Sequence, residues 1–308
     1  MMDSRIKFRH LQTFIEVARQ KSVGKAADVL SVTQPAVTRT IRELEDYLGV
    51  DLFEKEGRGI RISHFGEVFL KHAGESIAAV QRGVDSIVQA KHSLGPPLRI
   101  GALPTASVSL MPEAVAEFLK AGTGSLATIV TGENRWLLDA LRVGDLDLVV
   151  GRLSAPERMT GLHFEPLYTE EVIFAVRSSH PLLSRRNFSL GEIANYTVLM
   201  PTQGSVIRPF VDRFLVTNGI AELTNVVETV SDSFGRAYVQ RYDAIWLISG
   251  GVVASEIEAG RMARLEVDMS ETRGAVGLTT RANEAPNLSL SIMMNTIRDR
   301  VKQSGRGI

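Results

Sequence analysis

The sequence predicts a chain of three parts: a small helical region, one long helix and a larger α/β region. Three observations predict this fold class. Amphipathic helix patterns follow one another closely up to about residue 62. A heptad pattern then extends to about residue 93. From residue 98 onward strand and helix patterns alternate, which favours mainly parallel sheets covered on both faces. The predicted boundaries are therefore 1–62, 63–97 and 98–308.

The composition is that of an ordinary globular protein, with 44% hydrophobic and 23% charged residues. The absence of cysteine excludes disulfides, thiol catalysis and cysteine-bound zinc. No apolar stretch approaches the roughly 20 residues of a membrane span, and the N-terminus lacks the apolar core of a secretory signal. We therefore expect a cytoplasmic protein with no membrane partner. Residues 1–97 carry 14 basic and 12 acidic side chains, so nucleic-acid binding would depend on local placement.

The segment SVTQPAVTRTIRELE, residues 31–45, predicts an amphipathic helix that follows a tight turn. Val37, Ile41 and Leu44 share one face of this helix. Thr33 is a suitable N-cap, and Pro35 suits the first turn because its missing N–H has no helical partner there. A short helix precedes the turn, and a supporting helix precedes that one. This is the plan of a helix-turn-helix, whose second helix enters the DNA major groove N-terminus first.

The start of this helix carries side chains that can read base edges. Gln pairs with adenine, Arg pairs with guanine, and Thr can contact the thymine methyl group. The candidate residues are Gln34, Pro35, Thr38, Arg39 and Arg42. The acidic residues Glu43, Glu45 and Asp46 follow, where we expect them to lie away from the DNA. The alternative is a solvated face on which the two arginines pair with these acids.

The stretch VDLFEKEGRGIRIS, residues 50–63, predicts two short strands around a glycine turn. Lys55, Arg58 and Arg61 lie along this ribbon. Beside a helix-turn-helix such a hairpin is a wing, which can contact the phosphate backbone or the minor groove. On its own the same hairpin would be a plain turn.

A long helix is predicted from Ser63, a suitable cap, to about Ser93. Its apolar residues alternate spacings of three and four, as in a coiled-coil seam. The seam consists of Leu70, Ala73, Ile77, Val80, Val84 and Ile87. A partner chain would cover this seam in a homodimer, although an intramolecular core helix is the alternative. The residues Gly95–Pro97 end the helix and form a hinge.

The α/β region contains two sets of alternating strands and helices. LRIGAL begins the first set and YTVLMP begins the second. Between them, EEVIFAVRSSHPL predicts a strand that leaves the first set, and GAVGLTTR predicts a strand that returns to it before a last helix. Two lobes joined by crossing strands enclose a cleft.

Ligands in open α/β sheets bind beyond the carboxyl ends of the strands. Three turns there carry hydroxyl, amide or guanidinium groups that suit a carboxylate. Their candidate residues are Thr105, Ser107, Asn134, Arg135, Thr202, Gln203, Ser205 and Arg208. Glu133 would oppose an anion in the second turn. The alternative is that Thr105 and Thr202 merely cap helices.

The stretch FRHLQTFIEVARQKSVGKAADVLSVTQPAVTRTIRELEDYLGVDLFEKEGRGIRIS resembles the N-terminal domain of LysR-type transcriptional regulators. The matching pieces are LQTFIEVA, the pair Ala26 and Ala27, TQPAVTRTIRELE, LGVDLFE and the glycine wing. The resemblance implies that Gln34, Pro35, Thr38 and Arg39 contact bases. It also implies that Arg42, Lys55 and Arg58 contact the DNA backbone, and that the long helix pairs two DNA-binding domains.

The α/β region resembles the effector domain of the same regulators, which is related in fold to periplasmic binding proteins. The resemblance implies that the first and third turns hold the carboxylates of an inducer, with Arg152 near the cleft. The implied partners are double-stranded operator DNA, a small acidic metabolite and RNA polymerase. Dimers are expected to assemble into a homotetramer through their effector domains.

Within the family, FRHLQTF, RQKSV, TIRELEDYLGV and EGRGIRIS are similar to regulators of the protocatechuate operon. Those regulators respond to carboxylated muconate-type intermediates of aromatic-acid breakdown, and Arg135, Arg152 and Arg208 could supply the cations. The resemblance thus implies an activator of aromatic-acid catabolic genes. Regulators of sugar-binding protein genes share the opening, so regulation of sugar uptake or of another organic-acid pathway is the alternative.

A cleft enzyme is the alternative from a different class. The sequence has no G-x-S-x-G elbow, no H-E-x-x-H pair and no phosphate-binding G-K-[ST] loop. Four of the six histidines precede the cleft region. We therefore expect no enzymatic activity, no cofactor and no metal.

Overall fold

The computed structural model describes residues 5–57, 59–92, 97–185, 188–220, 222–282 and 284–305. The chain forms two compact units. The first comprises Met1–Pro96 and Asp139–Leu146, and the second comprises Pro97–Leu138 and Asp147–Ile308. Within the described ranges, no helix is both long enough and apolar enough to cross a membrane.

Three helices form the N-terminal part of the first unit: α1 (Phe8–Gln20), α2 (Val23–Leu30) and α3 (Gln34–Leu48). The turn between α2 and α3 includes Ser31 in the left-handed region, with a φ of 54°. Thr33 has the extended backbone of an N-cap and Pro35 lies in the first turn of α3. The predicted helix-turn-helix is confirmed. Thr33 is the N-cap residue, as predicted, although its hydroxyl accepts no N–H from the described residues of α3.

The apolar faces of α1, α2 and α3 meet in one core. Phe14 of α1, Ala26 of α2 and Leu44 of α3 are fully buried there. Small side chains on α2 let the helices approach closely, since packing distance depends on the residues at the contact. Because this core takes the face of α3 that carries Val37 and Ile41, the opposite face of α3 is left exposed.

The predicted wing is a two-stranded antiparallel ribbon, β1 (Phe53–Glu56) and β2 (Gly59–Ile62). Phe53 lies opposite Ile62, and Glu56 lies opposite Gly59. Gly57 at the turn has a φ of 57°, which favours glycine. Arg58 lies outside the described residues.

The long helix α4 spans His64–His92, about 45 Å at the usual rise. The hydroxyl of Ser63 accepts the N–H of Gly66 at 3.0 Å, which confirms the predicted cap. A Cβ on Gly66 would lie 2.2 Å from the carbonyl oxygen of Leu52, so this first turn approaches the wing too closely for any side chain. Gly95 and Pro96 of the predicted hinge lie outside the described residues.

The seam of α4 divides into two parts. Ala73 is buried in the core of the first unit, and the Phe69 ring beside the seam lies 5.3 Å from that of Phe14. Further along, Val80, Val84 and Ile87 are 50–62% exposed. The first part is therefore covered by its own unit, whereas the second part presents an open apolar stripe.

The first lobe of the second unit contains a five-stranded sheet of order β4-β3-β5-β12-β6. Its strands are β3 (Leu98–Ala102), β4 (Ala127–Thr131), β5 (Leu148–Arg152), β6 (Leu162–Glu170) and β12 (Gly274–Arg281). Its helices are α5 (Pro104–Ser109), α6 (Met111–Lys120), α11 (Leu288–Gln303) and the start of α7 (Asn134–Arg142), whose residues from Asp139 onward belong to the first unit. Strands β4, β3 and β5 are parallel, while β12 runs antiparallel to β5 and β6. Ile100, Phe118 and Met293 are fully buried in its core.

The second lobe contains a sheet of order β11-β7-β10-β8-β9. Its strands are β7 (Val172–Arg177), β8 (Thr197–Met200), β9 (Val226–Glu228), β10 (Ala244–Ser249) and β11 (Met262–Arg264). Its helices are α8 (Arg208–Thr217), α9 (Asp232–Arg241) and α10 (Ala254–Glu258). Strands β10, β8 and β9 are parallel, and β7 runs antiparallel to β10. Short 3₁₀ turns are Pro156–Arg158, Pro181–Ser184, Leu190–Asn195, Gly250–Val252 and Ser270–Thr272.

The chain crosses between the lobes twice, from β6 to β7 and from β11 to β12, as the sequence predicts. The sequence does not indicate β6 as a strand, because Pro166 interrupts its pattern. In the structure Pro166 pairs with Gly277, where the register of β12 shifts. A Cβ on Gly277 would lie 1.9 Å from the carbonyl oxygen of Glu165, so glycine is required at this irregularity.

Candidate functional site

The exposed side of α3 brings together the residues that we call the recognition face: Gln34, Pro35, Thr38, Arg39 and Arg42. Together with Glu43 and Asp46 they line one shallow surface depression. All five are exposed except Thr38, which is half-buried. This face lies opposite the buried residues of α3, as helical periodicity requires.

Arg39 and Glu43 form a hydrogen-bonded ion pair on this face. Arg39 Nε donates to Glu43 Oε1 at 2.9 Å, and the Arg39 side chain is 82% exposed. This hydrogen bond is the main reason that the pKa of Glu43 lies below its ordinary value. The expectation that the acids of α3 lie away from the DNA-facing residues is therefore wrong for Glu43 and Asp46, which both line the same depression.

Glu45, the third of these acids, does not line the depression. Glu45 Oε1 accepts the backbone N–H groups of Leu52 and Phe53 at 2.8 and 3.3 Å, which fastens α3 to the start of the wing. Burial raises the pKa of Glu45, and these two hydrogen bonds oppose the rise. Asp46 is exposed and borders the recognition face.

The wing presents Lys55 on the exposed surface of β1. Across the ribbon Arg61 lies opposite Glu54, and its Nη2 donates to Glu54 Oε2 at 2.5 Å. Lys55 therefore remains the described cation of the wing that the resemblance assigns to the DNA backbone.

A cavity of about 480 Å³ lies between the two lobes of the second unit, and we call it the interlobe cavity. Its volume is within the range of small-molecule sites. Five of the predicted effector-binding residues line it: Thr105, Ser107, Asn134, Arg152 and Ser205. They come from α5, the start of α7, the end of β5 and the loop before α8, so the fold joins segments that are far apart in sequence.

Arg152 is the most deeply buried cation of the interlobe cavity, with 7% of its surface exposed. Its Nη2 donates to the carbonyl oxygen of Thr272, and its guanidinium carbon lies 4.7 Å from the ring centroid of Phe210. Its Nη1 has no hydrogen-bond partner among the described residues. Burial lowers the pKa of Arg152, and the nearby charge of Glu170 opposes this. A buried guanidinium with one open N–H edge suits a carboxylate.

The other four predicted residues lie outside the interlobe cavity. Arg135 and Gln203 are exposed. Thr202 Oγ1 donates to Glu133 Oε1 at 3.1 Å, which joins one lobe to the other. Arg208, expected to bind a carboxylate of the ligand, instead donates to the carboxylates of Asp212 and Glu228 at 2.7 and 2.5 Å.

The sequence did not identify one whole wall of the cavity. This wall consists of Ser231, Asp232, Ser233 and Arg236 around the start of α9, together with Trp246 of β10. The available signal was the segment DSFGRAYVQRY, which begins at Asp232 directly after Ser231, a residue type that often caps a helix. Ser231 does cap α9, since its hydroxyl accepts the N–H of Phe234 at 3.2 Å.

The charges around the cavity are mixed. Arg236 donates to the carbonyl oxygen of Val252 at 2.5 Å and pairs with Glu256 at 3.1 Å. Burial raises the pKa of Asp232, and the charge of Arg236 opposes this. Glu133, Glu170 and Asp232 place three carboxylates at the wall against the guanidiniums of Arg152 and Arg236. An acidic ligand would thus need hydroxyl donors as well as Arg152.

No cluster of three or more potential metal-binding His, Asp or Glu side chains is found in the described part of the chain. Glu170, whose charge opposes the lowering of the Arg152 pKa, accepts the N–H of Gly251 at 2.7 Å. The polar groups that can contact a ligand in the cavity are therefore hydroxyls, carboxylates and guanidiniums.

Comparison with known families matches both units. The bacterial regulatory helix-turn-helix of the LysR family matches residues 8–67, and the LysR substrate binding domain matches residues 91–302. The transcriptional regulator PcaQ of Agrobacterium fabrum is 58% identical over 299 residues, covering 97% of this chain and 96% of that protein. YdcI of Escherichia coli K12, an uncharacterized transcriptional regulator, is 31% identical over 97% of each chain. These relatives are regulators of transcription rather than enzymes.

Solved structures of full-length regulators share the fold. BenM aligns with a TM-score of 0.56 at 22% identity, over 97% of this chain and 98% of that chain. CbnR in complex with its target DNA aligns with a TM-score of 0.53 at 21% identity, over 96% and 99% of the two chains. At such identities the likeness concerns the fold alone.

Proposed function

Because the chain belongs to the LysR family of transcriptional regulators, we propose that it activates genes of protocatechuate breakdown in response to a carboxylated muconate-type metabolite. The observation that carries this proposal is the 58% identity to PcaQ over nearly the whole of both chains. The matched region covers 97% of this chain, so it extends across both the helix-turn-helix domain and the effector domain. The protein acts on DNA and therefore in the cytoplasm.

On the DNA side, the recognition face enters the major groove. Gln34, Thr38 and Arg39 contact base edges, with Pro35 packed beside them, and their side-chain types match the donor and acceptor patterns of adenine, thymine and guanine. Arg42 makes no hydrogen bond or ion pair to another described residue, so it is available for a phosphate. Lys55 and Arg58 of the wing contact the backbone alongside, which fixes orientation rather than sequence.

On the ligand side, Arg152 Nη1 binds one carboxylate of the metabolite. The hydroxyls of Thr105 and Ser205 donate to the remaining carboxylate oxygens, and Asn134 adds an amide. Ser107 joins them only when its hydroxyl turns away from the carbonyl oxygen of Pro104, to which it donates at 2.9 Å. Arg135, Thr202, Gln203 and Arg208 lie further out, and they contact the ligand only if the lobes close over it. This arrangement is supported by the open Nη1 of the buried Arg152 guanidinium.

The ligand acts by closing the lobes. Thr105, Ser107 and Arg152 belong to the first lobe and Ser205 belongs to the second, so one molecule can contact both. The hydrogen bond from Thr202 to Glu133 already joins the lobes at the cavity wall. A ligand shifts the degree of closure only by its different affinity for the two states.

Assembly follows from the stripe of α4. Val80, Val84 and Ile87 pair with the same residues of a second chain, so that two recognition helices read two half-sites about one helical turn or a multiple apart. Dimers join into a tetramer through their effector domains and contact RNA polymerase. In this proposal residues 1–62 bind DNA, 63–97 pair and hinge, and 98–308 bind the effector.

A sugar or other polyhydroxylated ligand is the second candidate. Glu133, Glu170 and Asp232 favour it, because carboxylates accept hydrogen bonds from hydroxyl groups and oppose a polyanion.

Calorimetric titration with three probes separates the two candidates: carboxy-cis,cis-muconate, cis,cis-muconate and galactose. We expect the tricarboxylate to bind most tightly, the dicarboxylate more weakly and galactose not at all. Saturable binding of galactose alone would replace the protocatechuate proposal by the sugar alternative.

A further inference from the structure

The carboxylate of Glu43 contacts cations from two helices at once. Its Oε1 accepts Arg39 Nε at 2.9 Å within α3. Its Oε2 lies 3.3 Å from Arg9 Nη2 and 3.4 Å from His10 Nε2, both on α1. One oxygen is thus turned toward the recognition face, and the other is turned toward the supporting helix.

His10 gives Glu43 a fixed neighbour, with Nε2 at 3.4 Å from Glu43 Oε2 but outside hydrogen-bond geometry. The ring of His10 is fully buried, and its Nδ1 accepts the backbone N–H of Lys7 at 3.1 Å. Since Nδ1 is an acceptor, the neutral ring carries its proton on Nε2, which faces Glu43. The ring of Tyr47 packs against the ring of His10, with 5.7 Å between their centroids. This neighbour of Glu43 is therefore built into the core of the first unit.

The contact at Nε decides which donors Arg39 presents. A guanidinium has five N–H groups, and a guanine edge takes two of them from the Nη end. The hydrogen bond to Glu43 occupies the Nε–H and leaves the Nη groups free to point outward. An arginine that is 82% exposed would otherwise sample many rotamers, so a fixed Nε reduces the entropy lost on binding.

We propose that Glu43 is a positioning residue, which orients Arg39 for reading a base pair and is itself held by Arg9 and lies against His10. This inference rests on the proposed function, in which Arg39 contacts a base. The simpler interpretation is an exposed i,i+4 ion pair that contributes only a little helix stability. The two interpretations differ in what happens to sequence discrimination.

The experiment compares the affinity of the full-length protein for two duplexes at one salt concentration. One duplex carries the operator that nuclease footprinting locates upstream of the protein's own coding region, and the other is a shuffled duplex of the same composition. Glu43→Ala is expected to lower the operator-to-shuffled ratio roughly threefold to tenfold, the range of one net hydrogen bond. Glu43→Gln keeps an acceptor oxygen for Arg39 Nε but turns its amide NH2 toward the donors of Arg9 and His10, so its ratio is expected to lie between those of the parent protein and Glu43→Ala.

Asp46 provides the matched control. It is an acid on the border of the same recognition face, and no hydrogen bond or ion pair between described residues joins it to Arg39. Asp46→Ala removes the same charge near the phosphates. It is expected to strengthen binding to both duplexes alike and to leave their ratio unchanged.

A double-mutant cycle with Arg39→Ala completes the test. Glu43→Ala is expected to have no effect on the ratio once Arg39 is absent, because it acts through that side chain. An unchanged ratio in Glu43→Ala, or the same loss in Asp46→Ala, would overturn the positioning role while Arg39→Ala still loses discrimination. If Arg39→Ala itself leaves the ratio unchanged, the base-reading role of Arg39 fails as well. The melting temperature of every variant is measured as well, because a variant that has lost stability could change the operator-to-shuffled ratio through unfolding.

Discussion

The recognition face and the interlobe cavity differ in how their residues are brought together. One helix supplies the whole recognition face, so helical periodicity alone places Gln34, Thr38 and Arg39 on one surface. Segments from both lobes line the cavity. Thr105 and Ser231 therefore line the same cavity only because the sheet topology brings their loops together. A site on one element can be located from spacing, whereas a site between elements requires the fold.

The two sites also differ in how they hold their arginines. Arg39 is exposed, and its pairing with Glu43 has little influence on folding stability because solvent screens the charges. Arg152 is buried with one N–H edge unpaired, an arrangement that costs stability unless something binds it. Exposure thus suits a side chain that must reach into a DNA groove, and burial suits one that binds a carboxylate inside a cavity.

The largest expected effect is a loss of DNA binding with no change in ligand binding. Val84→Asp places a carboxylate in the stripe of α4, and burying it unpaired in a dimer costs several kcal/mol, so operator affinity should fall on the order of 100-fold or more. Ligand affinity should not change. Sedimentation velocity and fluorescence anisotropy measure these effects, and Ala79→Asp, on an exposed position off the stripe, is the control. A dimer that persists in Val84→Asp would contradict the proposed pairing.

The next effect concerns Arg152. Arg152→Met should weaken binding of carboxymuconate roughly 10-fold to 100-fold, as expected for a hydrogen bond to a charged group, and leave operator binding intact. Arg208→Met should mainly lower the melting temperature, because Arg208 is held by Asp212 and Glu228. Calorimetry and thermal denaturation compare the two variants. A greater loss of ligand affinity in Arg208→Met than in Arg152→Met would contradict this assignment. The ligand carboxylate would then bind at the turn before α8, as the sequence predicted.

The pair of arginines shows what the sequence could and could not establish. Arg208 stands in a favourable pattern, a hydroxyl-rich turn before a helix, but its own helix supplies Asp212 one turn later. Arg152 stands at the end of a buried strand with no pattern around it, and only the resemblance indicated it. The helix-turn-helix, the cap at Ser63 and the crossing strands follow from local patterns. Ser231 and Asp232 reach the cavity through tertiary packing, which no local pattern encodes.

A smaller effect tests the acids of the cavity. Glu133→Gln removes a charge that opposes an acidic ligand, worth about 1 kcal/mol at such distances in a solvated site, so carboxymuconate should bind about fivefold more tightly. Glu258→Gln, outside the cavity, should have no effect. Weaker binding in Glu133→Gln would show instead that its hydrogen bond with Thr202 dominates through lobe closure.

The smallest effect is a pH dependence shared by both units. Burial lowers the pKa of His10 in the first unit and of His180 in the second. Glu43 raises and Arg9 and Lys7 lower the pKa of His10, while Asp243 raises and Arg177 lowers that of His180. The native state of each unit therefore favours the neutral histidine ring. The contribution of each ring to folding stability is fully present above the unfolded pKa of about 6.5 and is lost as pH falls through the lower folded pKa.

Calorimetric melting between pH 5 and 8 measures this loss. His180→Gln should make the pH dependence of the second unit shallower, with that of the first unit unchanged. An equally steep dependence in His180→Gln would assign the loss to other groups.

The central claim is that a ligand in the interlobe cavity changes how the protein holds DNA. The most direct measurement is a nuclease footprint on the DNA upstream of its own coding region, with and without carboxymuconate, using the parent protein and Arg152→Met. We predict protection that shortens or shifts when the ligand is added to the parent protein, and no shift in Arg152→Met. Protection of the parent protein that is identical with and without the ligand would contradict the claim.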